Sequence, residues 1–191
     1  MTDILEPVFT HKEPGPFFSA SEAAARIAET GEEKGPVATQ LRTLAQRRLV
    51  QVRGTRGSGR TASNLYAPAD LAVASIMRTL IHMGVADNEV LRAASLACYS
   101  WREGDDIAKG FAHPMTAALA SFIQLGEAWT FRMDLDFNAT TGRRFFVARL
   151  YNPETSAFPE REDPTTVPMA TITIPVLRFV PRVLVDTSGM N

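Results

Sequence analysis

The chain has 191 residues, 45% of them apolar, and a formal net charge of −1, a composition that predicts a packed core and excludes a wholly disordered chain. Its single cysteine, Cys98, excludes an intramolecular disulfide and a multi-cysteine metal site, and it favours a reducing compartment. Residues 1–15 show no basic segment leading into an apolar run, and no uncharged stretch is long enough for a membrane span. We therefore predict a cytoplasmic protein that does not contact a membrane.

Two helices are predicted near the N-terminus, after a proline-containing segment (residues 1–17) that we interpret as a flexible arm. Ser19 and Glu22 match a capping box, and the helix that follows has a short apolar face: Ala23, Ala24 and Ile27. The second helix is predicted at about residues 36–48, because Pro36 suits the first helical position. Its inner face combines apolar side chains at helical spacing with the stem of an arginine: Val37, Leu41, Leu44 and Arg48.

Basic side chains are concentrated in residues 34–60, which contain seven of them and no acidic residue. Such a block in a nearly neutral chain predicts a phosphate-binding surface, although an ordinary solvated face has the same composition. The outward face of the second helix carries side chains suited to base edges: Thr39, Arg42, Thr43 and Gln46, with Arg47 flanking. Arginine pairs with guanine through two hydrogen bonds, glutamine pairs with adenine, and threonine offers a hydroxyl or a methyl group.

A glycine-rich basic hairpin is predicted to follow the second helix. Residues 49–53 alternate like a strand, 54–60 form a flexible turn, and 64–66 return as a second strand. The glycines permit close approach to a nucleic-acid backbone, and three arginines supply positive charge: Arg53, Arg56 and Arg60. Helix, basic helix and basic hairpin in this order predict a winged helix-turn-helix that binds double-stranded DNA.

From about residue 19 to residue 94, the chain resembles the DNA-binding domain of MerR-type regulators. The resemblance rests on the basic wing and on these segments: Ser21-Glu22-Ala23-Ala24, Leu41-Arg42-Thr43-Leu44 followed by Arg48-Leu49-Val50, Asn64-Leu65-Tyr66-Ala67-Pro68-Ala69-Asp70-Leu71, Ile81-His82-Met83-Gly84, and Asp87-Asn88-Glu89-Val90. It implies a dimeric transcription regulator. The chain departs from the family at Arg48, where a glycine is usual, and strands replace the family's long dimerisation helix. Winged helices of the MarR type share the pattern from Leu41 to Tyr66 nearly as well.

Three more helices and a sheet are predicted beyond the hairpin. The helices cover about 69–83, a segment capped by Asp87, and about 115–125. From Trp129 the apolar period changes to two, which predicts a strand, and residues 143–151 return as its hairpin partner. Residues 152–168 read as a surface loop, and 169–186 supply one or two further strands broken at prolines.

The sequence as a whole predicts an α+β fold. It comprises the arm (1–17), a winged helix-turn-helix domain (18–100), a helical connector (101–127) and an antiparallel sheet domain (128–191) used for an effector or for oligomerisation. We expect a sequence-specific transcriptional regulator that binds as a homodimer, with no enzymatic activity, metal or cofactor. The main alternative is a winged-helix adaptor that binds protein in a phage-like or multiprotein assembly.

Other candidate chemistry is weaker. The three histidines (His11, His82 and His113) are scattered, and an acidic group (Glu103, Asp105 and Asp106) is better explained as a helix start than as a metal site. Cys98 lies on an apolar helix face and is predicted to be a buried structural thiol. The apolar stripe of the first long strand is typical of a core, but a ligand pocket or a dimer interface has the same pattern: Trp129, Phe131, Met133, Leu135 and Phe137.

Overall fold

A computed structural model of the protein describes residues 16–59, 62–101, 111–156, 158, 161 and 163–184. In these ranges the chain forms six helices and six strands: β1 (Phe18–Ser19), α1 (Ala20–Ile27), α2 (Lys34–Gln46), β2 (Gly54–Arg56), β3 (Ser63–Tyr66), α3 (Pro68–His82), α4 (Asn88–Tyr99), α5 (Pro114–Leu125), β4 (Thr130–Asn138), β5 (Arg143–Tyr151), β6 (Thr166–Pro175) and α6 (Val180–Leu184). The predicted α+β class is confirmed. Nearly all of the predicted arm lies outside the described residues.

The capping box at the start of α1 forms as predicted. The Ser19 side chain accepts a hydrogen bond from the Glu22 backbone N–H, and the Glu22 carboxylate accepts the Ser19 N–H at 2.6 Å. The apolar face of α1 then packs against α2, whose three predicted apolar inner residues are buried: Val37, Leu41 and Leu44. Because these contacts join two short helices, burial rather than helix propensity stabilises the pair.

The C-terminal end of α2 differs from the prediction. The helix spans Lys34–Gln46 rather than 36–48. It ends because Arg48 adopts a left-handed backbone conformation (φ +59°), in which its N–H donates to Ala45 O and that of Leu49 donates to Leu44 O. Arg48 occupies the position where helices usually place glycine, and this turn leaves its side chain exposed, so its predicted place on the inner face is wrong.

The first strand of the small hairpin also lies later than predicted. Leu49 and Val50 are both buried, which a half-exposed strand with alternating sides does not allow. The strand is instead β2, which pairs with β3 through Thr55 and Asn64, while β1 pairs with the other edge of β3. The result is a three-stranded antiparallel sheet with the order β1-β3-β2.

The second sheet confirms the predicted long hairpin. Its order is β5-β4-β6, all antiparallel, and one face packs against α4 and α5. The first three members of the predicted apolar stripe are buried in this core, whereas Leu135 and Phe137 are half-buried towards the far end of β4. The stripe is therefore mainly core, as its period suggested.

The opposite face of the second sheet is also partly buried, whereas simple alternation between apolar and polar residues predicts that solvent covers it. Asp134 and Asp136 are fully or almost fully buried, and Arg161 donates to both carboxylates at 2.8 Å. Arg132 adds a two-pronged contact to Asp134, and Thr171 donates to it at 2.8 Å. The chain between β5 and β6 thus contributes a charged side chain that neutralises two carboxylates which would be unstable if buried alone.

The chain after β6 is helical, where a further strand was predicted. A single 3₁₀ turn (Val176–Arg178) leads into α6, and the buried side chains in this segment recur at helical spacing: Val176, Phe179, Val180 and Val183. α6 packs against α1 and α3, so it returns to the N-terminal half. Buried residues of both halves form one hydrophobic cluster. None of the helices in the described ranges is long and apolar enough to cross a membrane.

Candidate nucleic-acid interface

The outward face of α2 is uncovered. Four of the predicted contact residues are exposed there: Thr39, Arg42, Thr43 and Gln46. The hydroxyl of Thr39 donates to the Gly35 carbonyl at 3.2 Å, and that of Thr43 donates to the Thr39 carbonyl at 3.1 Å. Because both hydroxyl protons bond to the helix backbone, the methyl groups and oxygen lone pairs are what these threonines offer to a partner.

Arg42 lies on this face close to the end of β3. Burial raises the pKa of the Tyr66 hydroxyl, and the positive charge of nearby Arg42 opposes that shift. Arg42 is exposed, and its charge is near enough to the Tyr66 hydroxyl to affect the pKa of that group.

Arg47 contacts another part of the protein. Its Nε and Nη2 donate to Asn88 Oδ1 at 3.2 and 2.9 Å, which connects the end of α2 to the start of α4. The side chain is half-buried. Arg47 therefore holds α2 in place rather than facing outward with the other four predicted contact residues of α2.

Arg53 is engaged inside the protein and is removed from the predicted DNA contacts. Its Nε and Nη2 donate to the two oxygens of Asp70 at 2.9 and 3.0 Å. Asp70 is fully buried and also accepts hydrogen bonds from the Tyr99 hydroxyl and the Ala67 N–H. Burial raises the pKa of Asp70, and the contact with Arg53 opposes this rise. A guanidinium that neutralises a buried carboxylate is not available to a phosphate.

The described part of the turn between β2 and β3 has an exposed arginine and glycines with positive φ, in keeping with the predicted basic, glycine-rich turn. Arg56 is 59% exposed and lies 3.4 Å from Glu22 of α1, which is 49% exposed. An exposed pair of this kind contributes at most about 1 kcal/mol, so a phosphate can compete for the arginine. Gly57 and Gly59 have φ values of +85° and +61°, a conformation that favours glycine. Arg60 lies outside the described residues.

Sequence analysis missed a residue that joins α1, α2 and the turn between them to α3. Arg78 of α3 is only 4% exposed; its Nη1 donates to Ile27 O at 2.8 Å and its Nε donates to Gln40 Oε1 at 2.9 Å. Its Nη2 forms an ion pair with Glu32, in the turn between the two helices. The sequence feature that could have revealed this role is the occurrence of a single arginine within the broad apolar stretch of α3.

Among the described residues, the remaining candidates do not assemble into a reactive site. His82 is exposed, and His113 Nδ1 lies 2.7 Å from the Tyr99 carbonyl oxygen, within the structural contacts of α4. Cys98 is buried, as predicted, and burial raises the pKa of its thiol. In the part of the chain that the structure describes, no cluster of three or more histidine, cysteine or acidic residues is placed to hold a metal. His11 and the predicted acidic group at 103–106 lie outside that part.

No protein-family model matches the chain, and no curated protein matches its sequence. The surface is therefore interpreted from its own geometry and charge.

Proposed function

We propose that the protein is a cytoplasmic regulator that binds specific sequences in double-stranded DNA, with α2 as the recognition helix and the β2–β3 hairpin as the wing. The observation that carries the proposal is the uncovered polar face of α2 beside an exposed, glycine-rich basic hairpin. The resemblance to MerR-type regulators stays a prediction from the sequence.

The packing of α2 supports a recognition role. The helix is fixed on its inner face by buried leucines, at its turn by Arg78 and at its C-terminal end by the contact between Arg47 and Asn88. Base recognition requires side chains held in a defined position relative to the groove, because a misplaced donor loses its hydrogen bond. A rigid helix with an open polar face meets that requirement.

The distribution of charge also supports the proposal. Among the described residues of the basic block, four cationic side chains are exposed: Lys34, Arg42, Arg48 and Arg56. They lie on α2, in the turn that ends it and on the hairpin that follows, where a phosphate can reach them. Because each neutralised phosphate releases counterions, binding should weaken steeply as salt is raised. Retention on random duplex at low salt, lost by about 0.2 M salt, is the simplest first test.

Replacing Arg42 by alanine should reduce affinity for the specific site by about 1–3 kcal/mol, the usual value of a two-pronged contact with guanine. Affinity for random duplex and the melting temperature should change little, since Arg42 is exposed. The specific duplex would be selected from a random library, and both affinities would be measured by fluorescence anisotropy.

The matched control for Arg42→Ala is Arg92→Ala, which removes the same charge from an exposed position on α4. If Arg42→Ala lost affinity for the specific duplex and for random duplex equally, Arg42 would be interpreted as a phosphate contact. If neither affinity changed, α2 would not recognise DNA, and a winged-helix adaptor that binds protein would become the better interpretation.

The hairpin should contribute affinity without sequence preference. Replacing Arg56 and Arg60 together by alanine should weaken all duplexes alike and lower the slope of log affinity against log salt by up to about two units. The physical reason is that a flexible glycine-rich turn can place a charge near phosphate but cannot hold a precise donor pattern. An unchanged slope in salt titrations would contradict the assignment of this hairpin as a wing.

We further propose that the protein binds as a two-fold homodimer, because one winged helix makes few base contacts. Helix α3 is apolar on more than one face, but it is almost entirely buried within one copy of the chain and so offers little surface to a partner. The exposed edge of β5 remains, where Phe145 and Phe146 are 39% and 40% exposed. Light scattering should give a dimer at micromolar concentration, weakened by Phe146→Asp. A monomer with and without DNA would disprove this proposal.

A further inference from the structure

The two threonines on the outward face of α2 have already used their hydroxyl protons. Thr39 and Thr43 are exposed and lie about one helical turn apart. A threonine hydroxyl has a single proton, and both protons are donated to the carbonyl four positions earlier, at 3.2 Å for Thr39 and 3.1 Å for Thr43. Each oxygen is thus held against the helix backbone, so the methyl group is the part of the side chain that a base edge reaches more readily.

The two methyl groups flank the arginine proposed to contact guanine. Thr39, Arg42 and Thr43 have the spacing i, i+3, i+4, which places them on one face of the helix. The opposite face is fixed by the buried side chains of Leu41 and Leu44, so α2 cannot turn to present another side. Four residues advance a helix by about 6 Å, which is close to two base-pair steps of about 3.4 Å each. The methyl groups can therefore reach bases beside the one that Arg42 contacts.

Thymine is the base whose edge matches a methyl group. In the major groove it presents an apolar C5-methyl group, whereas the edges of adenine and guanine present hydrogen-bond donors and acceptors. A threonine methyl group packed against such a donor or acceptor would remove water from it without replacing the hydrogen bond, which costs free energy. Packed against the methyl group of thymine, it instead removes apolar surface from water, which is favourable.

We propose that Thr39 and Thr43 recognise thymine through its methyl group. The DNA sequence bound by α2 then contains thymine within about two base pairs of the guanine contacted by Arg42. Because α2 must first lie in the major groove, this recognition rests on the proposed function. It assigns the two threonines to one base and to one atom of that base, and it gives their hydroxyl groups no part in base recognition.

Replacing thymine by uracil tests the contact directly, because uracil lacks the methyl group and forms the same base pair. The probe is the specific duplex selected from a random library, with deoxyuridine substituted for thymidine at one position at a time. Each substitution at a contacted position should weaken binding about fourfold, the value expected for one buried methyl group. Substitutions at other positions should have no effect. Fluorescence anisotropy measures the affinities.

Two substitutions at Thr43 separate the role of the methyl group from that of the hydroxyl. Valine in its usual helical rotamer keeps a methyl group where threonine has one, so Thr43→Val should bind the selected duplex like the unaltered protein and remain sensitive to uracil. Thr43→Ser should bind about fourfold more weakly and lose its sensitivity to uracil at one position. Thr39→Ser should do the same at another position.

The matched control is Thr173→Ser, which removes the same methyl group from an exposed threonine of β6 and should not change DNA binding. Specific binding that is unaffected by uracil at every position would overturn thymine recognition and leave the proposed function standing. Weaker binding by Thr43→Val together with unchanged binding by Thr43→Ser would show that the oxygen accepts a hydrogen bond from a base, and would also overturn it. Sensitivity to uracil that persists in both serine variants would place the thymine contact elsewhere. If the unaltered protein binds no duplex, the proposed function fails, and thymine recognition fails with it.

Discussion

Replacing Arg53 by alanine is expected to lower the free energy of unfolding by about 3–5 kcal/mol, the usual effect of removing one partner from a buried ion pair. Asp70 is fully buried, so in the variant its carboxylate would remain in a low-dielectric site without a neutralising charge. The Tyr99 hydroxyl and the Ala67 N–H still donate to it, but neither carries a charge. Chemical denaturation at pH 7 measures the loss.

The same variant should recover stability in acid. Burial raises the pKa of Asp70 even with Arg53 present, and removal of Arg53 should raise it further. A carboxyl group with a raised folded-state pKa favours the folded state fully below its unfolded pKa, and this contribution is lost as pH rises through the folded value. The deficit of Arg53→Ala should therefore be greatest at neutral pH and shrink as the pH falls towards about 4.

A double variant provides the control. Arg53→Ala combined with Asp70→Asn removes the unpaired charge while retaining most of the side-chain volume, so it should be more stable than Arg53→Ala alone. A loss below about 1 kcal/mol in the single variant, as for an exposed pair, or a double variant less stable than the single one, would contradict this interpretation of Asp70.

The second large effect is expected at Arg78. Methionine retains much of the side-chain length but removes the hydrogen bonds that Arg78 donates to the Ile27 carbonyl and to Gln40, and its ion pair with Glu32. We expect a loss of about 3–5 kcal/mol in the free energy of unfolding, as for other broken buried charge contacts. The free energy of unfolding of Arg78→Lys should lie between those of the unaltered protein and Arg78→Met, because lysine retains the charge but lacks the planar guanidinium group.

The test of Arg78 needs a second measurement beyond stability. Hydrogen exchange should accelerate most in α1 and in the turn before α2, while the second sheet should accelerate by no more than the loss in global stability requires. Arg92→Met, at an exposed position on α4, is the matched control and should change neither quantity. Uniformly faster exchange throughout the protein would show that Arg78 stabilises the whole core rather than the packing of α1 and α2.

The contribution of the contact between Arg78 and Glu32 to stability should depend on pH, in a direction that follows from the pKa of Glu32. The hydrogen bond from Arg78 lowers the pKa of Glu32 below its usual range. Its contribution to stability is therefore present above the unfolded pKa and is lost as the pH falls through the folded value. The unaltered protein should lose this contribution in acid, below about pH 4.3. The Arg78→Met variant should lose less, because the Glu29 backbone N–H still donates to Glu32 at 3.0 Å but Arg78 no longer does.

Elements stabilised by neighbouring residues were predictable. The capping box joins Ser19 to Glu22, three positions away, and the inner face of α2 repeats every three or four residues. The hairpin of β4 and β5 follows from the alternation along β4 and from the short turn after which the chain returns. In each case the residues that determine the structure lie close together in the chain, so their spacing alone identifies the element.

Which arginines remain available to a partner was decided only by the tertiary structure. Arg42 and Arg53 look equivalent in the sequence, but one is exposed, whereas the other meets a buried carboxylate 17 residues away. Arg78 meets the Ile27 carbonyl across 51 residues, and α6 packs against helices near the other end of the chain. The basic block was visible in the composition, but the division of its charges between the interior and the surface depends on which distant groups folding brings into contact. No repeat of residue types along the chain predicts such contacts between distant residues, because the energy of a buried charge is set by its three-dimensional surroundings.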